Sequence, residues 1–181
     1  THVALLRGIN VGGKRTLPMR DLVRIFEGAG AKDVRTYIQS GNVVFAAPGS
    51  RVKRVVAGAQ EAIVGEFGFE VGISVRTAAE MGEALRANPF LGKGIVPKWL
   101  HVGFLERAPA RGAIARLDPD RSPGDRFGVV GTEIYLHVPN GMARTKLTNA
   151  YFDSTLGVMS TFRNWRTVGG CSIICPGLRR L

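Results

Sequence analysis

Between His2 and Arg76 the chain sets out four strand-like runs and two helical patterns in the order βαββαβ, and few folds accept that order. In the run His2 to Arg7, Val3 and Leu5 alternate with Ala4 and Leu6, so both faces of this strand are apolar and both call for cover. Pro18 stands where a helix begins, and Met19 to Glu27 places Leu22, Val23, Ile25 and Phe26 at helical spacing before Gly28 and Gly30 close it. Val34 to Gln39 and Asn42 to Ala47 are rich in β-branched and aromatic residues, and Ser40-Gly41 between them reads as a tight hairpin. A second helix is expected from about Ser50 to Phe67 and a fourth strand over Glu70 to Arg76. The implied class is α+β: a ferredoxin-like antiparallel sheet with two helices on one face.

The second half nearly repeats the first in element order, without evident residue identity. A helix over Ala78 to Ala87 and the loop "NPFLGKGIVPK" precede a strand at Trp99 to Glu106. A short helix near Arg111 to Leu117, a hairpin about Gly131 and a helix starting near Thr145 or Lys146 follow. The expected organisation is therefore two ferredoxin-like halves: residues 1–76, a connecting helix and loop at 77–98, and residues 99–181 with a C-terminal helical segment. A first strand apolar on both faces suits such pairing, and it also permits a homodimer through an uncovered sheet face.

The first strand runs into Gly8-Ile9-Asn10-Val11-Gly12-Gly13-Lys14, which spells G-x-x-x-x-G-K. A phosphate-binding P-loop needs Ser or Thr after the lysine and a helix that starts at once. Here Arg15 follows Lys14, Pro18 delays the helix, and the surrounding order is not a parallel βαβ stack, so this is not a Walker motif. The loop still has the makings of an anion site: its glycines let backbone N–H groups converge, and Arg7 and Lys14 add positive charge. The alternative is a plain β–α connection whose glycines only satisfy turn geometry.

Charge points the same way. Twenty-five Lys and Arg against fourteen Asp and Glu give a net charge of +11, which attracts polyanions such as nucleic acid. The cations are spread along the chain and dominated by arginine, so compositional bias explains the balance equally well. Cys171 and Cys175 are the sole cysteines, which excludes a disulfide framework and favours a reducing, cytoplasmic setting. No apolar run approaches the ~18 residues of a membrane helix, and no signal peptide is evident.

Several blocks together carry a family resemblance: "ALLRGINVGGK", "TYIQSGNVVF", "YLHVPNG", "KLTN" and "TFRNWRTV". They resemble the bacterial family of unknown function DUF1697, from Val3 to about Val168. The resemblance implies an α+β protein of two ferredoxin-like halves and no established activity. Its motif positions fall on Arg7, Gly8, Asn10, Gly12, Gln39, Ser40, Gly41, Asn42, Lys146, Leu147, Arg163, Asn164 and Trp165. One departure stands out. Relatives continue after the last block as an amphipathic helix, whereas "GGCSIICPGLRRL" follows here, with Gly169 and Gly170 disfavouring a helix and Pro176 interrupting one.

Residues able to do chemistry are few. His2, His101 and His137 lie in strand patterns beside apolar neighbours and none stands at metal spacing, so they read as packed or surface histidines and no metal or cofactor is called for. Asp118, Asp120 and Asp125 in "LDPDRSPGD" read as a solvated loop, and Glu106, at a strand end, reads as water-facing. The richer pattern is one of donors. Arg7, Gly8, Asn10, Gly12 and Lys14 with Gln39 and Asn42 form one group; Arg144, Lys146, Asn149, Arg163 and Asn164 form another, with Lys146 and Asn149 on one helix face. Donors without a base suit holding phosphate better than breaking a bond. The central strands offer one aromatic, Phe45, so the base-stacking platform of RNA-recognition domains is missing. Two function classes follow. One is a binding protein for nucleic acid or nucleotide phosphate; the other is an enzyme acting on a small phosphorylated or polar substrate between the halves.

Overall fold

The computed structural model describes residues 1–175, and they divide into two units: Thr1–Met81 with the chain from Gly170 onward, and Gly82–Gly169. The first unit runs β1 (His2–Leu6), α1 (Met19–Gly28), β2 (Lys32–Tyr37), β3 (Asn42–Ala46), α2 (Gly49–Phe67) and β4 (Ile73–Thr77). Its sheet has the order β2-β3-β1-β4 with every neighbour antiparallel. Ala4, Leu6, Val43 and Phe45 face α1 and α2, where Leu22, Ile25 and Phe26 meet Val55, Ala59 and Ile63. Side chains buried like these each contribute about 1.5–3 kcal/mol. Val3, Leu5 and Val44 point to the other face and are buried as well, so β1 is covered on both sides as its pattern demands. Gly68 closes α2 in the left-handed conformation at φ 73°.

The second unit contains the same order. It begins within α3 (Ala78–Arg86) and continues through a 3₁₀ turn at Pro97–Trp99 to β5 (Leu100–Leu105), α4 (Arg111–Ile114), β6 (Arg126–Val130), β7 (Glu133–His137), α5 (Asn149–Leu156) and β8 (Ser160–Asn164). The sheet order is β6-β7-β5-β8, again antiparallel throughout. Gly131, at φ 60°, takes the first central position of the two-residue β6–β7 turn, where a II′ turn requires glycine. The last helix, α6 (Trp165–Ile174), crosses the boundary between the units at Gly170.

The repeat reaches residue identity. In strand register, His2, Val3 and Leu6 of β1 correspond to His101, Val102 and Leu105 of β5, because Val3 pairs with Arg76 on β4 as Val102 pairs with Arg163 on β8. Both arginines are buried, and each donates from Nη1 to the carbonyl of the preceding residue, at 2.8 and 2.9 Å. One further position exchanges size across the pair: Ala4 opposite Val75 becomes Gly103 opposite Phe162. A Cβ on Gly103 would collide with the Phe162 ring.

Three expectations need correction. The helix expected from Thr145 or Lys146 begins at Asn149, capped by Thr148, whose hydroxyl accepts from the Tyr151 N–H at 3.3 Å. Before it, the Leu147 N–H donates to the Thr145 hydroxyl and the Lys146 N–H to the Ser122 hydroxyl, so side chains outcompete helix formation there. Lys146 therefore shares no helix face with Asn149. The short helix ends at Ile114 rather than Leu117. Finally, α6 runs straight through Gly169 and Gly170. Gly170 stands there because a Cβ would overlap the Tyr37 ring and hydroxyl, so close approach compensates the intrinsic penalty of glycine. Pro176 lies outside the described residues.

These two glycines are expected to behave oppositely. Gly169 has nothing within 4 Å of its would-be Cβ, so Gly169→Ala stabilises by up to about 1 kcal/mol. Gly170→Ala overpacks against Tyr37 and destabilises by about 1–3 kcal/mol. Urea-unfolding midpoints of the two variants test this; equal shifts would reject it.

Candidate functional site

The glycine-rich connection between β1 and α1 is a small hairpin. Gly12 and Gly13 have φ of 60° and 71°, the Lys14 N–H donates to the Val11 carbonyl at 3.2 Å, and Val11 and Lys14 pair antiparallel. Positive φ at both central residues is the type I′ pattern, which matches strand twist and suits Gly-Gly. The Asn10 N–H reaches the Arg15 carbonyl at 3.2 Å and completes the second rung.

Asn10 holds this hairpin in place. It sits at φ 55°, a conformation asparagine tolerates. Its Nδ2 donates to the carbonyls of Leu17 (2.9 Å) and Gln39 (3.1 Å), and its Oδ1 accepts from the Leu17 N–H at 2.8 Å. The amide thus fastens the hairpin to the chain entering α1 and to the β2–β3 turn, residues 38–41. Buried Asn42 closes that turn, donating to the Tyr37 carbonyl at 3.0 Å and the Ser40 hydroxyl at 2.8 Å. Within it, Ile38 adopts φ 50° with its side chain 52% exposed. A β-branched residue held there is strained by about 1–2 kcal/mol.

Between hairpin, turn and the start of α1 lies an open groove of about 570 Å³. Leu17, Pro18 and Met19 supply apolar lining; Asn10, Thr16, Arg20 and Gln39 supply polar lining, with Gly13 beside them and no carboxylate. Lys14 and Arg15 are exposed on the hairpin. Arg15 reaches over the Phe69 ring at 6.0 Å, and Arg20 touches Asp21 only at 3.9 Å. Arg24, by contrast, is gripped by Glu66, which holds the Glu66 carboxyl below its ordinary range through a direct hydrogen bond. Arg7 is half-buried, its N–H on the Gly72 carbonyl, and Gly8 takes φ 65° beside the Arg15 guanidinium. The first group of sequence candidates therefore shares one end of the first unit. Sequence reasoning passed over Val11, Arg15, Thr16, Arg20 and Ile38 there, although Gly-Gly between Val11 and Lys14 is a hairpin signal in plain sight.

The second group does not gather in one place. Arg144 and Lys146 are exposed in the loop before α5. Asn149 donates to the Ser160 carbonyl at 2.9 Å, at one end of β8, whereas Asn164 lies at the other end. There Asn164 donates to the Lys98 carbonyl at 3.3 Å and accepts from the Arg166 N–H at 3.0 Å, opening α6. Arg163 is buried and donates to the Thr161 hydroxyl at 2.9 Å.

Acid–base candidates are packed or dispersed. Burial lowers the pKa of all three histidines. For His2 the N-terminal charge adds to it and Glu80 opposes; for His101 a backbone hydrogen bond opposes; for His137 nearby Arg126 adds to it and Asp125 opposes. His2 stacks on Phe45 with centroids 5.5 Å apart, and His137 lies 6.0 Å from Trp99. Glu106 is exposed past the end of β5. Asp125 corrects the reading of a solvated loop: it is buried, accepting from the Ser122 hydroxyl at 2.6 Å, while Asp118 and Asp120 stay exposed. Among the described residues, no three His, Cys, Asp or Glu side chains are placed to hold a metal ion, and no helix is long and apolar enough to cross a membrane.

Two ferredoxin-like units, the first carrying an added glycine hairpin, define the class of protein. The chain belongs to the family described as protein of unknown function DUF1697, whose match covers residues 1–135. It is also similar in fold to the solved structure of the conserved bacterial protein SP0830 from Streptococcus pneumoniae, with a TM-score of 0.66 and 21% identity over 95% of this chain and 96% of that one. Comparison with curated proteins gives no match.

Two outcomes are expected. Asn10→Ala removes three hydrogen bonds and is expected to destabilise by about 1–3 kcal/mol, read from urea midpoints; a neutral result would deny Asn10 its fastening role. The histidines give a pH dependence. Unfolded imidazoles bind protons near 6.5 and the folded ones resist, so the unfolded state gains protons first and stability falls as pH drops below that value. Urea midpoints are expected to decline from pH 7 to pH 5.5, less steeply in His101→Gln; a flat profile would contradict it.

Proposed function

We propose that the hairpin end of the first unit binds the phosphate backbone of nucleic acid. The observation that carries this reading is the open, carboxylate-free groove lined by Arg20, with exposed Lys14 and Arg15 following its lining residue Gly13 on the hairpin. Three further features favour it. The groove is open to solvent rather than enclosed, and enclosure is what a small-molecule site needs. Gly12 and Gly13 have no neighbouring atom within 4 Å of a would-be Cβ, so a phosphate can approach the backbone N–H groups closely. The net charge of +11 adds a long-range attraction. In this reading Asn10 and Asn42 position the loops, and Lys14, Arg15 and Arg20 make the charge-assisted contacts. Exposed Arg144 and Lys146 of the second unit offer further cationic surface.

Fluorescence anisotropy with labelled duplex DNA across a salt series tests this. Wild-type protein is expected to bind at physiological salt with log affinity falling linearly with log salt. Lys14→Ala with Arg20→Ala, removing two phosphate contacts, is expected to reduce that slope by about 1.8. No binding at physiological salt, or an unchanged slope in the double variant, would overturn the proposal.

A further inference from the structure

Two aliphatic side chains stand out on the same end of the first unit. Val11, on the hairpin, is 67% exposed, and Ile38, in the β2–β3 turn, is 52% exposed. The loops carrying them are bound together one residue away from each, where the Asn10 side chain donates to the Gln39 carbonyl at 3.1 Å. Ile38 gains little packing from its position, yet it holds a left-handed conformation in which asparagine or glycine would sit without strain. An exposed β-branched residue kept in a strained conformation beside a cationic groove points to a contact made outward. The large exposed apolar residues here are aliphatic, not aromatic. Binders of single strands stack bases on aromatic rings; proteins that enter a duplex through its minor groove push aliphatic side chains between base steps.

Resting on the proposed phosphate-binding role, we infer that Val11 and Ile38 are wedge residues that enter a base step of duplex DNA while Lys14 and Arg20 hold the flanking phosphates. This makes double-stranded DNA the partner. The cations supply affinity that salt weakens, whereas burial of the aliphatic pair in the opened step supplies a salt-independent part that offsets the cost of unstacking.

The test uses the full chain with duplex DNA carrying 2-aminopurine, whose fluorescence rises when its stacking is broken. Variants Val11→Ser and Ile38→Asn are compared with wild type and with Lys14→Ala/Arg20→Ala. Ile38→Asn relieves the backbone, so its urea midpoint is expected at or above wild type and lost binding would not reflect misfolding. If the inference holds, wild type brightens the probe, and each aliphatic variant loses that brightening and binds about tenfold more weakly at an unchanged salt slope. Brightening retained in both variants, with affinity within about twofold, would overturn the wedge and leave the phosphate-binding reading standing. Tighter binding to single-stranded DNA or to duplex RNA would also overturn it. Failure of the wild type to bind any of these nucleic acids at physiological salt would remove the underlying reading itself.

Discussion

Each unit depends on a central strand that has to be buried on both faces. Val3 and Leu5 point one way from β1, and Ala4 and Leu6 the other; all four are inaccessible to solvent. In β5, Val102, Gly103, Phe104 and Leu105 are equally buried. A strand of this kind fits only at the middle of a sheet whose two faces are covered. One face in each unit meets the helices of its own βαββαβ run. On the other face α6 and α3 take part: Gly170 in the middle of α6 lies against the Tyr37 ring, and the Tyr135 hydroxyl donates to the Ala84 carbonyl of α3 at 3.0 Å. β3 and β4 are registered directly against β1, and β7 and β8 against β5, while the edge strands β2 and β6 take their register through β3 and β7.

The size exchange between the units shows how tightly that packing constrains sequence. Ala4 beside Val75 and Gly103 beside Phe162 fill comparable space with different partitions. Interiors near crystal density accept such swaps when total volume is kept. The His-Val pair and the buried arginine are the same in both units, and each arginine bonds the carbonyl of its preceding residue.

Much of the fold was legible because its signals are local. Period-two runs, helical spacing and the Pro18, Gly30 and Gly68 punctuation are written within a few residues of where they act. What escaped has its cause far away in the chain. Gly170 is explained only by Tyr37, and the late start of α5 only by Ser122. The shared His-Val strand start went unnoticed because the connections between equivalent strands differ in length, so no single offset aligns the halves. Of the candidate site, the donors near the first strand were legible as a group. That Asn10 and Asn42 work on the backbone, leaving Arg20 in the groove and Lys14 and Arg15 exposed on the hairpin, needed the geometry of the loops.

Those connection lengths carry a further argument. The second unit joins β5 to its next helix through residues 106–110, whereas the first joins β1 to α1 through residues 7–18. Likewise, residues 131–132 suffice between β6 and β7, while residues 38–41 connect β2 and β3. Both expansions lie at the same end of the first unit, because the end of β1 pairs with the start of β3. The second unit shows that the framework closes without them. Long connections are not required by the sheet, and a strained Ile38 is not what a chain adopts for stability. The second unit lengthens other connections, residues 115–125 and 138–148, so the framework does not account for the two expansions of the first unit, and it is on these that exposed Val11, Lys14, Arg15 and Ile38 gather.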